Sequence, residues 1–402
     1  MTYYRRVGDV PRKRHTVHRD ASGERLHEEL LGEEGFAGPS TLLYHRHPPS
    51  ALVAVEAADD PRPPLTPLHP LAPMHLRTSA IGRHGDAVTG RHALLGNDDV
   101  TISLVAASTD SPLYRNATGD ELVFVAEGAA TLESSLGCLS VGAGDYVVVP
   151  AGLTHRWRPG PDQGMRGLVL ESRGHVGPPS RHLTATGQFL EHAPYCERDL
   201  RMPDGPFVID HVDHVDDGER DGAGVDVLVR TAGGMSVLRH RHHPFDVVGW
   251  DGCVYPWALS IHDFEPIVGS LHQPPHVHQT FEAPGIVVCS FVPRPFDFHP
   301  DAVKVPYHHA NVDSDEVLFY VSGDFMSRAG SGIEVGSMTV HPAGFVHGPQ
   351  PGSWERSVDA TATNEVAVMV DTFRPLLVSS SARAIADAAY VTSWTAQRDP
   401  SR

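Results

Sequence analysis

The chain has 402 residues, of which 40% are hydrophobic and 20% charged, and its 32 basic and 50 acidic residues give a formal net charge of −18. The hydrophobic fraction is ordinary for a soluble globular enzyme, and the length exceeds what one hydrophobic core usually organises, so two domains are expected. The acidic balance argues against a nucleic-acid-binding protein and against attachment to an anionic membrane surface.

Neither a membrane span nor a secretory leader is expected. No apolar run approaches the roughly 20 residues that cross a bilayer. The opening residues, MTYYRRVGDVPRKRH, are basic but are not followed by an apolar segment. The four cysteines are scattered without a CxxC pair, which suits a reducing compartment. We therefore expect a cytoplasmic protein that binds neither membrane nor nucleic acid.

Along the chain, short apolar runs bounded by turn residues predict an all-β fold with a few short helices. Helices are predicted at 23–32, GERLHEELLG, and at 381–389, SARAIADAA. Strands are predicted between them, at runs such as DVTISLVAA, ELVFVAEG, VDVLVRTAGG and EVLFYVSG. With 38 Gly and 34 Pro, this spacing is typical of a β-sandwich or barrel. The segment GHVGPPSRHLTATG has the composition of a linker, which predicts domains at 1–185 and 186–402.

A paired motif occurs twice in the chain. Residues 114–128, YRNATGDELVFVAEG, match residues 308–323, HHANVDSDEVLFYVSG, because each has Asn, a turn, Glu, six residues and Gly. Downstream, GDYVVVPAGLTH at 144–155 matches GSMTVHPAGFVH at 336–347. Both have Gly, five residues and then Pro-x-Gly-x-x-His. A repeat of this kind predicts that one fold is used twice.

The second copy carries candidate metal ligands. His309 and Glu316 flank a predicted turn at the start of a strand, and His347 follows a Pro-x-Gly turn on another strand. Barrel closure can bring the three to one point, and two imidazoles with one carboxylate are typical of non-haem Fe(II) oxygenases. Each residue alone has a plainer explanation: either histidine as a hydrogen-bonded loop residue, the glutamate as an exposed residue at a strand edge.

The first copy departs from this set. Arg115 stands at the position of the leading histidine, while Glu121 and His155 remain. A guanidinium group cannot ligate a metal, and its charge opposes one. We therefore predict that the N-terminal barrel is metal-free and structural, with Arg115 paired to Glu121.

The two motifs resemble the signature motifs of the cupin superfamily, which implies a bicupin with two jelly-roll barrels. Residues 240–375 resemble homogentisate 1,2-dioxygenase more specifically, because VVGWDG, PYHH, the three candidate ligands and HGP occur in family order. The resemblance implies Fe(II) held by His309, Glu316 and His347. It also implies a homo-oligomer that uses O2 to open the ring of a small aromatic substrate in aromatic amino-acid catabolism. That substrate would be homogentisate or a related hydroquinone or hydroxyarylacetate.

The resemblance also assigns roles around the metal. His272 in LHQPPH matches the catalytic histidine and would accept the proton of a ring hydroxyl, with His276 and His278 as neighbouring alternatives. The residues implied to contact the substrate are His341, His347 and Phe325.

Two positions depart from the family pattern. Four residues rather than three separate Asn311 from Glu316, so Asp315 competes as the ligand, and Glu316 is preferred because six residues then separate it from Gly323. Phe325 replaces a substrate-contacting tyrosine, which removes one hydrogen bond of about 0.5–1.5 kcal/mol and leaves the exact substrate open.

Two other functions share parts of this pattern. A metal-dependent cupin isomerase would use the same ligands with zinc or manganese and would need no O2. A non-catalytic bicupin binding protein would hold no redox metal, and intact ligands in one of the two copies argue against it.

Overall fold

The computed structural model describes residues 3–209 and 224–395, and it confirms the predicted all-β fold of two cupin barrels. The strands before residue 110 are β1 Arg5–Gly8, β2 His27–Gly32, β3 Ser40–His45, β4 Leu52–Ala58, β5 Leu65–Pro67, β6 Met74–Arg77, β7 His92–Gly96 and β8 Val100–Ala107. Those from there to residue 260 are β9 Tyr114–Asn116, β10 Glu121–Ser134, β11 Gly137–Gly142, β12 Asp145–Val149, β13 His155–Pro159, β14 Met165–Ser172, β15 Leu200–Arg201, β16 Val225–Thr231, β17 Gly234–His240, β18 Val247–Gly252 and β19 Trp257–Ser260.

The remaining strands build the C-terminal barrel and its edges. They are β20 Gln279–Ala283, β21 Ile286–Phe291, β22 Arg294–Pro295, β23 Asp315–Ser322, β24 Ser337–His341, β25 Ala362–Thr363, β26 Val366–Thr372 and β27 Leu377–Ser379. The α-helices are α1 Ser353–Ser357 and α2 Ser380–Ala384. Single turns of 3-10 helix lie at Glu34–Phe36, Thr78–Ala80, Ser180–His182, Glu197–Asp199, Ile261–Asp263, Pro275–His278, Met326–Arg328 and Tyr390–Thr392. Among the described residues, none of the helices has the length and apolar character to cross a membrane.

Within residues 3–209 and 224–395, the strands pair into four sheets. A four-stranded sheet has the order β1-β18-β3-β2, and a six-stranded sheet has the order β20-β21-β26-β23-β24-β6. A 15-stranded sheet runs β4-β17-β16-β9-β13-β10-β14-β8-β7-β27-β5, with β11, β12, β15 and β19 attached, and β22 pairs with β25. Strand β10 is long enough to pair with β12 and β14 along its first half and with β11 and β13 along its second, and its pairing with β14 has a bulge between Val125 and Glu127. Such a bulge bends a strand, which lets the sheet curl into the first barrel.

The predicted helix at 23–32 is wrong. Residues His27–Gly32 form β2, which pairs antiparallel with the buried strand β3 from His27 opposite His45 to Gly32 opposite Ser40. Glu and Leu favour a helix locally, but the ladder with β3 is a long-range contact that outweighs such a weak preference. The second predicted helix is found in shortened form as α2, where the Ser379 hydroxyl caps the first turn by accepting from Ala382 N.

The two barrels repeat the same backbone contacts. In the first, the Asp120 carboxylate accepts hydrogen bonds from Ala151 N at 2.8 Å and Val176 N at 2.9 Å. In the second, the contacts of the Asp315 carboxylate are the same, with Ala343 N at 2.8 Å and Leu376 N at 2.7 Å as donors. Each aspartate thus ties the start of a long strand to a Pro-Ala-Gly turn and to a later segment of its barrel.

The strands of the two barrels do not sort by chain half. Strands β16 to β19, which lie after residue 185, join sheets built mainly from earlier residues, and β6 pairs with β24 in the second barrel. One hydrophobic cluster spans both barrels, and the rings of Tyr146 and Phe281 meet across it at 5.0 Å. The two barrels are therefore packed through a common core, and the division at residue 185 stays a prediction from composition.

Candidate metal centre

His309, Glu316 and His347 converge in the second barrel. Glu316 lies at the start of β23, and the two histidines lie in loops on either side of the strand pair β23–β24. The backbones of the histidines form an isolated antiparallel bridge, with His309 N donating to His347 O at 2.8 Å and His347 N donating to His309 O at 2.9 Å. One candidate ligand atom from each of the three side chains lies within 4.8 Å of the other two. This spacing allows one cation to contact all three.

Backbone carbonyls set the tautomers of the two histidines. His309 Nδ1 lies 3.1 Å from Tyr307 O, and His347 Nδ1 lies 3.1 Å from Phe345 O. Since a carbonyl oxygen only accepts, each Nδ1 carries a proton, and Nε2 is the nitrogen of each ring that remains to ligate a cation. In the described structure, the buried His347 Nε2 has no hydrogen-bond partner. Both Nε2 atoms lie near the carboxylate of Glu316, at nitrogen-to-oxygen distances of 3.6 Å for His309 and 3.3 Å for His347.

Glu316, rather than the competing Asp315, faces the histidines. Adjacent residues of a strand point to opposite faces, and both oxygens of Asp315 already accept backbone N–H groups. Burial alone would raise the pKa of Glu316, but hydrogen bonds with the neighbouring imidazoles, His309 first, hold that pKa well below its ordinary value. The group is therefore an ionised carboxylate in a buried position.

The first barrel shows what replaces this arrangement, and it corrects two predictions about Arg115. The counterpart of His309 is Tyr114, not Arg115, because His155 bridges Tyr114 just as His347 bridges His309. Arg115 points away and donates to Thr154 Oγ1, so it does not pair with Glu121. Glu121 instead accepts two parallel hydrogen bonds from Arg91, at 2.7 and 2.8 Å.

Arg91 occupies the first barrel's counterpart of the three-residue site. Besides its bonds to Glu121, its guanidinium lies 3.3 Å from Glu171, a carboxylate on the adjacent strand, and Arg230 lies 3.1 Å from the same group. Two buried carboxylates are thus matched by two guanidinium groups. A fixed guanidinium cation at this place opposes the binding of a metal ion by its charge.

The second barrel has the carboxylates without the guanidinium groups. Asp371 stands opposite Glu316 on β26, as Glu171 stands opposite Glu121. Burial, with the nearby charge of Glu316, raises the pKa of Asp371 to about 7, and in the described structure its Oδ1 has no hydrogen-bond partner. No arginine or lysine within the described ranges lies at ion-pair distance from Glu316. A divalent cation fits this donor set, since it would neutralise the buried acids and use the two imidazole lone pairs.

His341 lies behind Glu316 rather than at the surface of a cavity. It is fully buried, its Nδ1 lies 2.8 Å from Glu316 Oε1, and its Nε2 lies 2.9 Å from the hydroxyl of Tyr390. Burial lowers the pKa of His341 to about 4, so the ring is neutral near pH 7. Because both ring nitrogens are hydrogen-bonded, the His341 ring orients Glu316. This placement does not support the predicted contact of His341 with substrate.

A cavity of about 360 Å³ opens onto His309 and Glu316. His272 and His278 line it, whereas His276 does not and is exposed. His272 is half-exposed and its Nδ1 lies 3.6 Å from Asp297 Oδ2. Further lining side chains supply an apolar wall and several polar groups, among them Phe291, Leu318, Met369, Arg294, Lys304, Tyr307 and Asn311.

Phe325 lies one layer behind the cavity wall. It is buried against Tyr320, with ring centroids 5.0 Å apart, and belongs to a cluster with Leu318. Its backbone has φ of +38°, in the left-handed region. The phenylalanine therefore does not line the cavity in this structure, and the predicted substrate contact through Phe325 is not visible.

Sequence reasoning missed Arg91, Arg294, Asp371 and Tyr390. Arg91 and Tyr390 lie far in the chain from the motifs they contact, so spacing gave no signal for them. Asp371 ends the predicted strand EVAVMVDTF, and its position opposite Glu316 follows only from strand register. Arg294 lies in the run VPRPF of the family-like region, where an arginine between two prolines was the available signal.

Comparisons with known proteins show similarity to dioxygenases. Residues 86–261 match the family model described as "Homogentisate 1,2-dioxygenase N-terminal". The chain is similar to a Saccharolobus solfataricus protein named "Putative dioxygenase", with 37% identity over 98% of this chain and 99% of that protein. It is 25% identical to homogentisate 1,2-dioxygenase of Emericella nidulans, over 68% of this chain and 62% of that one. The corresponding enzyme of Drosophila melanogaster is 24% identical, over 79% of this chain and 74% of that one.

Proposed function

Because the chain belongs to the homogentisate 1,2-dioxygenase family, we propose that it is a ring-cleaving dioxygenase that uses Fe(II) and O2. The proposed substrate is homogentisate or a closely related hydroquinone or hydroxyarylacetate, and the proposed metal ligands are His309, Glu316 and His347. The observation that carries the proposal is the convergence of these three side chains beside a cavity, with Nε2 of both histidines facing an ionised carboxylate.

The donor set favours iron chemistry. Two imidazoles and one carboxylate occupy one side of a cation and leave other coordination positions open, as in non-haem Fe(II) oxygenases. A bound ferrous ion supplies a redox-active centre for a reaction between an aromatic diol and O2, whereas redox-inert zinc does not. The same ligands suit an isomerase, so the requirement for O2 distinguishes the two reactions.

His272 is the proposed proton acceptor. It lines the cavity, and the Asp297 carboxylate near its Nδ1 favours the proton on that nitrogen, which leaves Nε2 free to accept. A histidine placed this way can take the proton of a ring hydroxyl as the ring becomes electron-rich. The edge-to-face contact of its ring with Tyr307, at 5.3 Å, steadies the imidazole at the cavity mouth.

Arg294 is the proposed partner of the substrate carboxylate. Its guanidinium lines the cavity, is anchored by one hydrogen bond to Val292 O at 3.0 Å, and has no carboxylate at ion-pair distance among the described residues. Burial lowers the pKa of Arg294, and Glu365 and Asp297 counter this only in part. A buried cation with spare donors favours an anionic group. Phe291 and Met369 offer the apolar surface against which an aromatic ring packs.

The reaction is tested with protein loaded with ferrous iron under argon and then mixed with O2 and homogentisate. The proposal predicts one O2 consumed for each ring opened, with both atoms of ¹⁸O2 in the product and an ultraviolet band of a conjugated diketo acid. Zinc-loaded protein is the control and should consume no O2. Conversion of substrate without O2 uptake would instead identify an isomerase. Cytoplasmic location and self-association stay predictions from the sequence.

A further inference from the structure

The C-terminal segment, residues 387–395, packs against the candidate metal centre. Asp387 begins it, held by His75 O and by the Arg77 guanidinium, each at 2.7 Å. Tyr390 follows in a 3-10 turn, and its side chain is fully buried with its hydroxyl 2.9 Å from His341 Nε2. Since His341 Nδ1 donates to a carboxylate, its Nε2 accepts, and the Tyr390 hydroxyl is the donor.

The segment also contacts the loop that carries His347. Trp394 Nε1 donates to the carbonyl of Gly348, the residue after His347, at 3.0 Å, and Arg328 donates to the same oxygen at 2.7 Å. The segment therefore reaches two of the three candidate ligands, Glu316 through His341 and His347 through Gly348.

The first barrel serves as an internal control. The residue paired with Glu121 across the strands is Val149, whereas the residue paired with Glu316 is His341. Glu121 is fixed by the guanidinium of Arg91, so no imidazole is needed there. The chain of tyrosine, histidine and glutamate thus occurs in the barrel whose carboxylate lacks a guanidinium partner in the described structure.

We propose that Tyr390 is a positioning residue for the metal centre. Its hydroxyl fixes the ring of His341, and His341 fixes Glu316 Oε1, so that the carboxylate is held in one orientation toward the lone pairs of His309 and His347. The inference rests on the metal centre of the proposed function, though not on the identity of the aromatic substrate. Partners of this kind are worth about 10- to 100-fold in metal affinity.

The test measures Co²⁺ affinity of metal-free, full-length protein by competition with a chelator, following the ligand-field absorption of the bound ion. Tyr390→Phe removes one oxygen and should weaken Co²⁺ binding about 10-fold or more. Tyr146→Phe is the matched control, because that buried hydroxyl contacts Ser290 Oγ at 2.9 Å in the core between the barrels. Its affinity for Co²⁺ should equal that of the wild type.

A double-variant comparison separates positioning from general stability. With His341→Val already in place, Tyr390→Phe should weaken Co²⁺ binding no further, because the connection to Glu316 is gone. Equal Co²⁺ affinity of Tyr390→Phe and wild type would overturn the proposal. It would also be overturned if Tyr390→Phe reduced the Co²⁺ affinity of the His341→Val variant as much as that of the wild type. If Tyr390→Phe fails to fold, Trp394→Phe tests the segment through Gly348, and unchanged Co²⁺ affinity there would overturn the segment's role. Wild type that binds Co²⁺ but opens no ring would count against the proposed reaction alone.

Discussion

Arg91 donates two parallel hydrogen bonds to Glu121, of 2.7 and 2.8 Å, at the place in the first barrel that corresponds to the candidate metal centre of the second. Both groups are almost fully buried, so removal of the arginine leaves a charged carboxylate buried without its partner. We expect Arg91→Met to lower the free energy of unfolding by about 3–5 kcal/mol, measured by urea denaturation. Metal binding in the second barrel should remain.

Two variants check that the loss comes from buried charge. Adding Glu121→Gln to Arg91→Met should restore part of the stability, because a neutral amide then replaces the unpaired carboxylate. Arg374→Met removes an exposed arginine near Asp98 and Asp99 and should cost about 1 kcal/mol or less. Equal losses from the buried and the exposed arginine would contradict this interpretation of the first barrel.

The role of His272 can be separated from that of its neighbours in the same loop. His272→Gln should lower kcat by about 10²- to 10⁴-fold, because a proton acceptor is lost, while the iron content stays that of the wild type. His276→Gln is the matched control, since His276 lies in the same loop but is exposed and does not line the cavity. A large loss from His276→Gln with none from His272→Gln would reverse the assignment.

Arg294 predicts a preference for anionic substrates. Replacement by Met should raise KM for homogentisate by about 10- to 100-fold, which is the effect of losing a charged hydrogen bond of about 1.5–3 kcal/mol. A neutral substrate, methylhydroquinone, should show nearly the same KM with both proteins. Parallel losses for the charged and the neutral compound would mean that Arg294 shapes the cavity without recognising a carboxylate.

A fourth predicted effect concerns pH and lies outside the metal centre. Burial alone would lower the pKa of His45, but hydrogen bonds to Asp246 at 2.6 Å and Glu29 at 2.9 Å outweigh it and raise the pKa to about 9. The stabilisation is therefore complete below about pH 6.5, the unfolded value, and is lost as the pH rises through about 9.

The measurement is the difference in unfolding free energy between wild type and His45→Gln across this range. That difference should shrink by about 2 kcal/mol between pH 6.5 and 9, after allowance for the partial exposure of Glu29. A His45→Gln difference that is flat with pH would show that the buried imidazole is not protonated.

The candidate ligands could be predicted from the sequence because they lie in short motifs with a recognisable spacing. His309 and Glu316 lie within eight positions of each other, and His347 follows a turn whose form is repeated at His155. The assignment of Arg115 to the position of the leading histidine was one residue too far along the chain, because Tyr114 precedes Glu121 by seven positions, as His309 precedes Glu316. The structure fixes this register through the backbone bridge to His155.

The residues that contact the candidate ligands could not be predicted from the sequence in the same way. Arg91 precedes its partner Glu121 by 30 positions, and Tyr390 follows its partner His341 by 49, so no motif joins them. Strand β2 was taken for a helix because its pairing with β3 is set by the sheet and not by its own residues. Contacts that depend on how distant segments pack have no signature in local spacing.

The most direct test of the metal centre is an anomalous difference map at the iron absorption edge, from crystals grown without oxygen in the presence of ferrous iron. The account predicts one strong peak in the second barrel, in contact with His309 Nε2, His347 Nε2 and the carboxylate of Glu316. It predicts no peak beside Glu121 and Arg91. A map without iron at the three residues, or with iron held elsewhere in the chain, would contradict it.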